Sequence, residues 1–219
     1  MIANLIRIHL KNSFRNPQKL LYLMFFSFLI VVIFAFSFDL STKLLNRVTP
    51  GIIWSVIILG STGILSESFR EESDNFIFYR FLLSPVSMTM LVITRTLSNM
   101  LIIVIWEFFI IFLTFIFLNF SSDFNLGYFI LTIFLGSLGY VMLTTFFSLI
   151  VSGSKNILMA IIIYPLILPL LMGVLKMTSL ILVNSINQEF FFWSKIVSGF
   201  NIIYLSIIII LTEIVFESD

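Results

Sequence analysis

The largest concentration of charged side chains in this sequence lies in residues 69–85, FREESDNFIFYRFLLSP, within an otherwise apolar chain. If residues 67–83 form a helix, the charges at positions 67, 70, 71 and 74 share one face, because side chains three and four residues apart are neighbours. Aromatic residues follow the charges, and Pro85 disfavours a helical conformation at the residue before it. The pattern predicts a short interfacial helix with a charged end in water and an aromatic end at a membrane.

This charged segment has two interpretations. A solvated loop with anchoring aromatic side chains accounts for its composition. A docking helix for a cytoplasmic protein is the alternative, because a charged face outside the membrane can bind a soluble partner. Composition alone leaves both interpretations open.

A second candidate is Glu107, in the sequence Ile105-Trp106-Glu107-Phe108 near the middle of a long apolar run. An acidic side chain at the centre of a bilayer costs roughly 2.5–3.5 kcal/mol on insertion scales, so it is not expected to face lipid. Either it pairs across an interface or lines a path, or it is a protonated acid that bonds a neighbouring helix and aids packing.

Two prolines, Pro165 and Pro169, lie four residues apart in another apolar run. Each removes a backbone donor, so each predicts a kink in the helix that contains it. A static kink is favoured over a hinge.

The composition indicates that a bilayer solvates the chain. Of its 219 residues, 60% are hydrophobic and 11% are charged, against about 45–50% and about 25% in soluble domains. The net charge of +1 gives no reason to expect nucleic acid binding. With no cysteine and a single histidine, His9, the sequence offers no disulfide, thiolate site or multi-histidine metal site. No cofactor is expected on this chain.

The sequence predicts an all-α integral membrane protein, a single transmembrane domain over residues 1–219. Six apolar runs have the length of a membrane-spanning helix, about 20 residues. Residues 1–19 predict an amphipathic helix in the interface, and residues 177–195 predict a second interfacial segment on the outer side. The six predicted spans are 20–38, 48–66, 96–118, 126–151, 156–175 and 196–216.

Orientation follows from the distribution of lysine and arginine in short loops. With the N-terminus in the cytoplasm, eight basic residues, Arg95 among them, fall on the inner side and four on the outer side. The count predicts that both termini are cytoplasmic and that the charged segment at 67–85 faces the cytoplasm.

Three blocks in this order carry a family resemblance: RVTPGIIW from Arg47, FREESDNFIFYRFLLSPVS from Phe69, and YPLILPLLMG from Tyr164. The chain resembles the B-subunit permeases of the cytochrome c maturation system, also called haem exporter protein B, within the type-2 ABC exporter permeases. The resemblance implies that the loop after the second span is a coupling helix seated in a groove of an ATPase. The residues it assigns to coupling are Phe69, Arg70, Glu71, Glu72, Asp74, Arg80 and Pro85.

The coupling segment departs from the family pattern at two places. Asn75 stands where a second acidic residue is usual, and Phe76-Ile77-Phe78 replaces Gly-Ser-Leu. The position of the loop is therefore better supported by the resemblance than any individual contact.

The chain is not expected to hydrolyse ATP. A phosphate-binding loop requires the pattern G-x-x-x-x-G-K-[ST], and Gly153-Ser154-Lys155 lacks both the earlier glycine and the following hydroxyl residue. The resemblance implies a non-catalytic subunit with ATP on a cytoplasmic ABC ATPase and haem on other cytochrome c maturation membrane subunits. The resemblance also implies that ATP hydrolysis drives release of a haem-loaded periplasmic chaperone.

Such ATPases work as dimers, so the resemblance implies either two copies of this permease, as a homodimer, or an equivalent pair of membrane subunits. The expected location is a bacterial inner membrane, with the mitochondrial inner membrane as the alternative. Two other functions stay open at this point: a permease that exports a different substrate, and a membrane scaffold that transports nothing.

Overall fold

A computed structural model describes residues 6–7, 10–11, 17–37, 46–61, 87–118, 123–150 and 156–216. The described regular structure is helical throughout, as the sequence predicts, and these ranges contain no strand. The helices are α1 (Pro17–Ser37), α2 (46–61), α3 (Met88–Phe117), α4 (Leu126–Ile150), α5 (Asn156–Leu182) and α6 (Gln188–Phe216).

Four of these helices contain stretches long and apolar enough to cross a membrane, namely Thr89–Phe117, Leu126–Phe147, Pro165–Leu182 and Gln188–Ile210. The corresponding apolar stretch of α1, Met24–Ser37, is shorter, and the described part of α2 ends at residue 61. The chain is therefore a multi-span helical protein by length and composition, and the count of six spans stays a prediction.

Helix α3 begins eight residues before the predicted start of the third span. Thr94, Thr96 and Ser98 are polar residues within this helix, and their hydroxyl groups bond back to carbonyls of the same helix. Thr94 Oγ1 donates to Met90 O over 2.7 Å and Ser98 Oγ donates to Thr94 O over 2.8 Å. Such back-bonding lets polar residues continue a helix within an apolar bundle. Arg95, predicted as an inner-loop residue, therefore lies within the helix.

Residues 177–195 are not a separate interfacial segment. They are the end of α5 and the start of α6, joined by a tight turn. Asn184 adopts a left-handed conformation with φ 57°, and Ser185 N donates to Leu180 O over 2.8 Å, which together terminate α5 as a Schellman-type cap. Asn187 Oδ1 then accepts from Glu189 N over 3.0 Å and caps α6.

Helix α2 lies at the centre of the described bundle. Its side chains are buried on nearly every side, with Leu59 as an exposed exception, and a helix that is apolar all round is expected in such a position. Trp54 Nε1 donates to Thr178 Oγ1 of α5 over 3.0 Å, and Tyr140 OH of α4 donates to Ile58 O over 3.1 Å. These bonds join α2 to α4 and α5.

Glycines let the two indole rings reach their positions. A methyl group on Gly136 of α4 would collide with the Trp54 ring, and one on Gly60 of α2 would lie 2.5 Å from the Trp106 ring. Trp106 Nε1 also donates to Ser27 Oγ of α1 over 3.0 Å. Small residues at these crossings permit the close helix packing on which association within a membrane depends.

Of the predicted N-terminal amphipathic helix, residues 6–7 and 10–11 are described, and they are helical. The rest of residues 1–16 lies outside the described residues, so the amphipathic helix stays a prediction.

Candidate functional site: an intramembrane carboxyl beside a groove

The predicted coupling residues Phe69, Arg70, Glu71, Glu72, Asp74, Arg80 and Pro85 all lie outside the described residues. The structure describes the two helix ends that flank this segment. Helix α2 is described to residue 61, and α3 begins at Met88 with Ser87 as its N-cap, whose hydroxyl accepts from Met90 N over 3.4 Å. The segment therefore connects α2 to α3, and it lies at the opposite end of α3 from the connection to α4.

Glu107 occupies the interior position that its sequence context predicts. Its side chain is 2% exposed, and Ser137 Oγ of α4 lies within hydrogen-bonding distance of its Oε1. Ser137 Oγ also lies 2.8 Å from Ile133 O of its own helix. Ser137 is the only partner of the Glu107 carboxyl among the residues that the structure describes. The contact joins α3 to α4 inside the membrane-spanning part of the bundle.

The same carboxyl lines a groove along the contact between α3 and α4. The groove has a volume of about 160 Å³ and is partly open to the outside of the bundle. Every other side chain that lines it is apolar, and several at its rim are exposed. From α3 the lining residues are Val104, Phe108, Ile111 and Phe115, and from α4 they are Leu126, Phe129, Ile130, Ile133 and Phe134.

The two predicted kink residues lie elsewhere. Helix α5 continues through both Pro165 and Pro169, with the first exposed and the second partly buried. The carbonyl of Leu166, in the turn before Pro169, accepts from Tyr204 OH of α6 over 2.7 Å. This bond supplies a hydrogen-bond donor to a carbonyl in the turn where a proline weakens the helical ladder. The groove draws on α3 and α4 only, so the prolines and Glu107 do not form one site.

Arg95 is a buried residue that the sequence reading placed in a loop. It is 3% exposed, in the second turn of α3. On the same helix, Asn99 Nδ2 donates to Thr145 Oγ1 of α4 over 3.0 Å. Arg95 is therefore a buried cation that has an interaction partner, and it lies close to the end of the charged segment. The polar residues within 94–99 are the sequence feature that could have indicated its position.

The described residues contain no group of three or more His, Cys, Asp or Glu side chains able to hold a metal ion. The carboxyl of Glu107, its hydroxyl partner and an apolar groove can form hydrogen bonds and accept apolar side chains. This arrangement therefore supports binding.

A family model and individual known proteins both match this chain in sequence. A family model described as CcmB protein matches residues 1–212. The Heme exporter protein B of Escherichia coli K12 is 24% identical over 102 residues, which are 47% of this chain and 46% of that protein. The proteins of the same name from Escherichia coli O157:H7 and Shigella flexneri match to the same extent. The match spans about half the length of these relatives.

Proposed function

The chain belongs to the CcmB protein family, and we propose that it is the membrane permease subunit of an ABC-type complex that serves c-type cytochrome assembly. The observation that carries this proposal is the family match over residues 1–212. The name of the relatives, Heme exporter protein B, supports haem as the species whose handling the complex drives.

In this proposal the chain supplies no catalytic group. ATP is hydrolysed by a separate cytoplasmic ABC ATPase, because the sequence has no phosphate-binding loop. Haem is held by other membrane subunits, and the work done is release of the haem-loaded chaperone on the outer side. The complex lies in a bacterial inner membrane with the N-terminus of this chain in the cytoplasm.

The segment at 67–85 is the proposed contact with the ATPase. Its acidic residues, Glu71 and Glu72, are the charged groups offered to a basic or hydrogen-bonding groove. Phe69 faces the ATPase together with them, and the later aromatic residues hold the segment against the membrane surface. The two copies of the permease that a paired ATPase requires each present one such segment.

Helix α3 carries the movement onward. It begins at Met88, directly after the segment, and its 30 residues form one uninterrupted helix, about 45 Å long at 1.5 Å per residue. It contacts α1, α4 and α6. A helix is stiff along its axis, so displacement of the segment by the ATPase moves α3 and the neighbours packed on it. The movement then reaches partner subunits within the membrane and on its outer side.

The proposal is tested by charge reversal in the segment. The chain is purified with its ATPase as wild type, as Glu71→Lys/Glu72→Lys, and as Asp123→Lys. Asp123 is an exposed acid in the α3–α4 connection, at the opposite end of α3, and serves as the matched control. Retention of the ATPase is measured per mole of membrane-inserted chain.

We expect the double variant to insert normally, because its side chains lie outside the hydrocarbon, and to lose most of its ATPase. The Asp123→Lys protein keeps the ATPase. Full retention by the double variant, with normal cytochrome assembly, would mean that the charged segment is only a solvated loop.

A further inference from the structure

We propose that the groove between α3 and α4 is the docking site for a membrane-spanning helix of another subunit, which presents a hydrogen-bonding side chain to Glu107. This inference rests on the proposed function, because it takes a multi-subunit membrane complex as its premise. It adds the surface that receives the partner and the chemistry of the contact.

The depth of the groove places it inside the membrane. Glu107 lies within the candidate span Thr89–Phe117, about 6 Å along the axis from its midpoint at 1.5 Å per residue. From there the groove extends towards Phe115 and Leu126, near the α3–α4 connection, about 12 Å away on the same scale. Its occupant is therefore an element that itself enters the bilayer.

The size of the groove fits side chains from a helix that lies across it. Its volume is about 160 Å³, close to that of an apolar cavity of about 150 Å³ that accommodates benzene. That space admits one ring-sized side chain or two small ones. A whole helix does not enter, so it rests on the exposed rim that Phe108, Ile130 and Phe134 form.

The chemistry of the groove distinguishes a helix from a lipid tail. Glu107 is its one polar lining residue, and the carboxyl has a second oxygen beyond the one in contact with Ser137. An acyl chain offers that oxygen no hydrogen bond, and an unsatisfied polar group is costly in hydrocarbon. A helix that carries Ser, Thr, Asn, Gln or a basic residue at this depth can donate a hydrogen bond to the carboxyl. Its backbone N–H and C=O groups are already hydrogen-bonded within the helix.

Another outward face of the bundle lacks this feature. The exposed side of α6 presents large aliphatic side chains around its middle, at Ile202, Ile203 and Leu205, and the hydroxyl of the neighbouring exposed Ser206 donates to Ile202 O of the same helix. Apolar contact with lipid acyl chains is all that such a face requires. A concave surface with a carboxyl at its inner end is complementary to a partner that has both apolar bulk and a polar group.

Photo-crosslinking in the intact complex tests the docking site. The residue p-benzoylphenylalanine replaces Phe134 at the groove rim in one protein and Ile202 of α6 in another, and each complex is irradiated in its native membrane. We expect the Phe134 probe to yield an adduct between this chain and another membrane subunit of the complex, identified by mass and by peptides of both. The Ile202 probe yields lipid adducts.

Variants of Glu107 test the polar contact in the same assay. Glu107→Leu should lower the yield of the subunit adduct about fivefold, which corresponds to about 1 kcal/mol and lies within the range for a hydrogen bond between membrane helices. Glu107→Gln, which keeps an oxygen at the same place, should leave the yield within about twofold.

Three outcomes overturn the inference: adducts with lipid alone at Phe134, adducts with a second copy of this chain, and a subunit adduct that Glu107→Leu leaves unchanged. Each irradiated sample is also assayed for the co-purified ATPase. If the ATPase is present while the groove binds only lipid, the docking site fails and the proposed function stands. If no ATPase is present in any sample, the proposed function fails.

Discussion

Two polar contacts inside this helical bundle differ in what surrounds them. Trp54 of α2 donates its indole N–H to Thr178 of α5, and both side chains are enclosed by neighbouring helices. Glu107 of α3 contacts Ser137 of α4 and is equally buried, yet its carboxyl also lines a groove that opens outward. The first contact has its bonding complete within the chain, whereas in the second one carboxyl oxygen of Glu107 has no hydrogen-bond partner among the residues that the structure describes.

The difference separates polar residues that hold the fold from one that is suited to recognition. Hydrogen bonds between membrane helices contribute about 0.6 kcal/mol on average and up to about 1.7 kcal/mol, so either contact adds modestly to folding. A carboxyl is a costly way to gain that amount when a hydroxyl would serve. An acid beside the groove therefore fits a role outside the isolated chain.

The largest effect is expected at the glycine under Trp54. In Gly136→Leu the new side chain would occupy the space of the indole ring and of Val174 on α5, so we expect almost no folded monodisperse protein. Fluorescence-detected size exclusion in detergent measures this. Gly199→Ala is the matched control, because a methyl group there meets no atom within 4 Å, and it should elute as wild type.

The next effect concerns Glu107 and appears in the complex rather than in the chain. Glu107→Leu removes a carboxyl, but Ser137 Oγ keeps Ile133 O at 2.8 Å as an acceptor. The melting temperature of the isolated chain should change little, while retention of the other membrane subunits falls about fivefold. A fall of Tm as large as that of Trp54→Phe, with full subunit retention, would assign Glu107 to packing.

A loss of stability smaller than that of Gly136→Leu is expected from the tryptophan itself. Trp54→Phe removes the indole donor and leaves a gap beside Gly136, while Thr178 Oγ1 still donates to Val174 O over 2.7 Å. Thermal unfolding should report a destabilisation of about 1–3 kcal/mol, with subunit retention unchanged. Loss of a subunit in this variant would show that the enclosed contact also serves recognition.

The smallest effect is expected at Tyr204. Tyr204→Phe removes the hydroxyl that donates to Leu166 O beside Pro169, a single bond of about 0.6 kcal/mol in a membrane. We expect a shift of about one or two degrees in Tm, since 1 kcal/mol moves the Tm of a protein of this size by about 2–4 °C. A loss of several times that size would mean that the bond restrains the proline-containing turn.

The helical class and the approximate place of each helix were predictable, because long apolar runs dominate the sequence. The start of α3 was predicted eight residues too late, at residue 96, and the hydroxyls of Thr94, Thr96 and Ser98 bond carbonyls of the helix that already contains them. The turn between α5 and α6 was also missed, although Asn184 and Asn187 are residues that favour caps.

For the candidate site, sequence reasoning identified Glu107 as an interior acid but could not name its partner. Ser137 contacts it because α3 and α4 pack in a particular antiparallel register, which is a tertiary property. The same register forms the groove, so no local pattern could have predicted it. The resemblance to the B-subunit permeases is confirmed by the family match over residues 1–212.

The central claim is that this chain passes the work of an ATPase to c-type cytochrome assembly, and haem-stained c-type cytochromes in cells that lack its gene test this most directly. The account predicts that haem-stained cytochromes are lost and that wild-type protein restores them. Asp123→Lys protein should restore them as well, and Glu71→Lys/Glu72→Lys protein should not. Normal levels of haem-stained c-type cytochromes in the deletion strain would contradict the account.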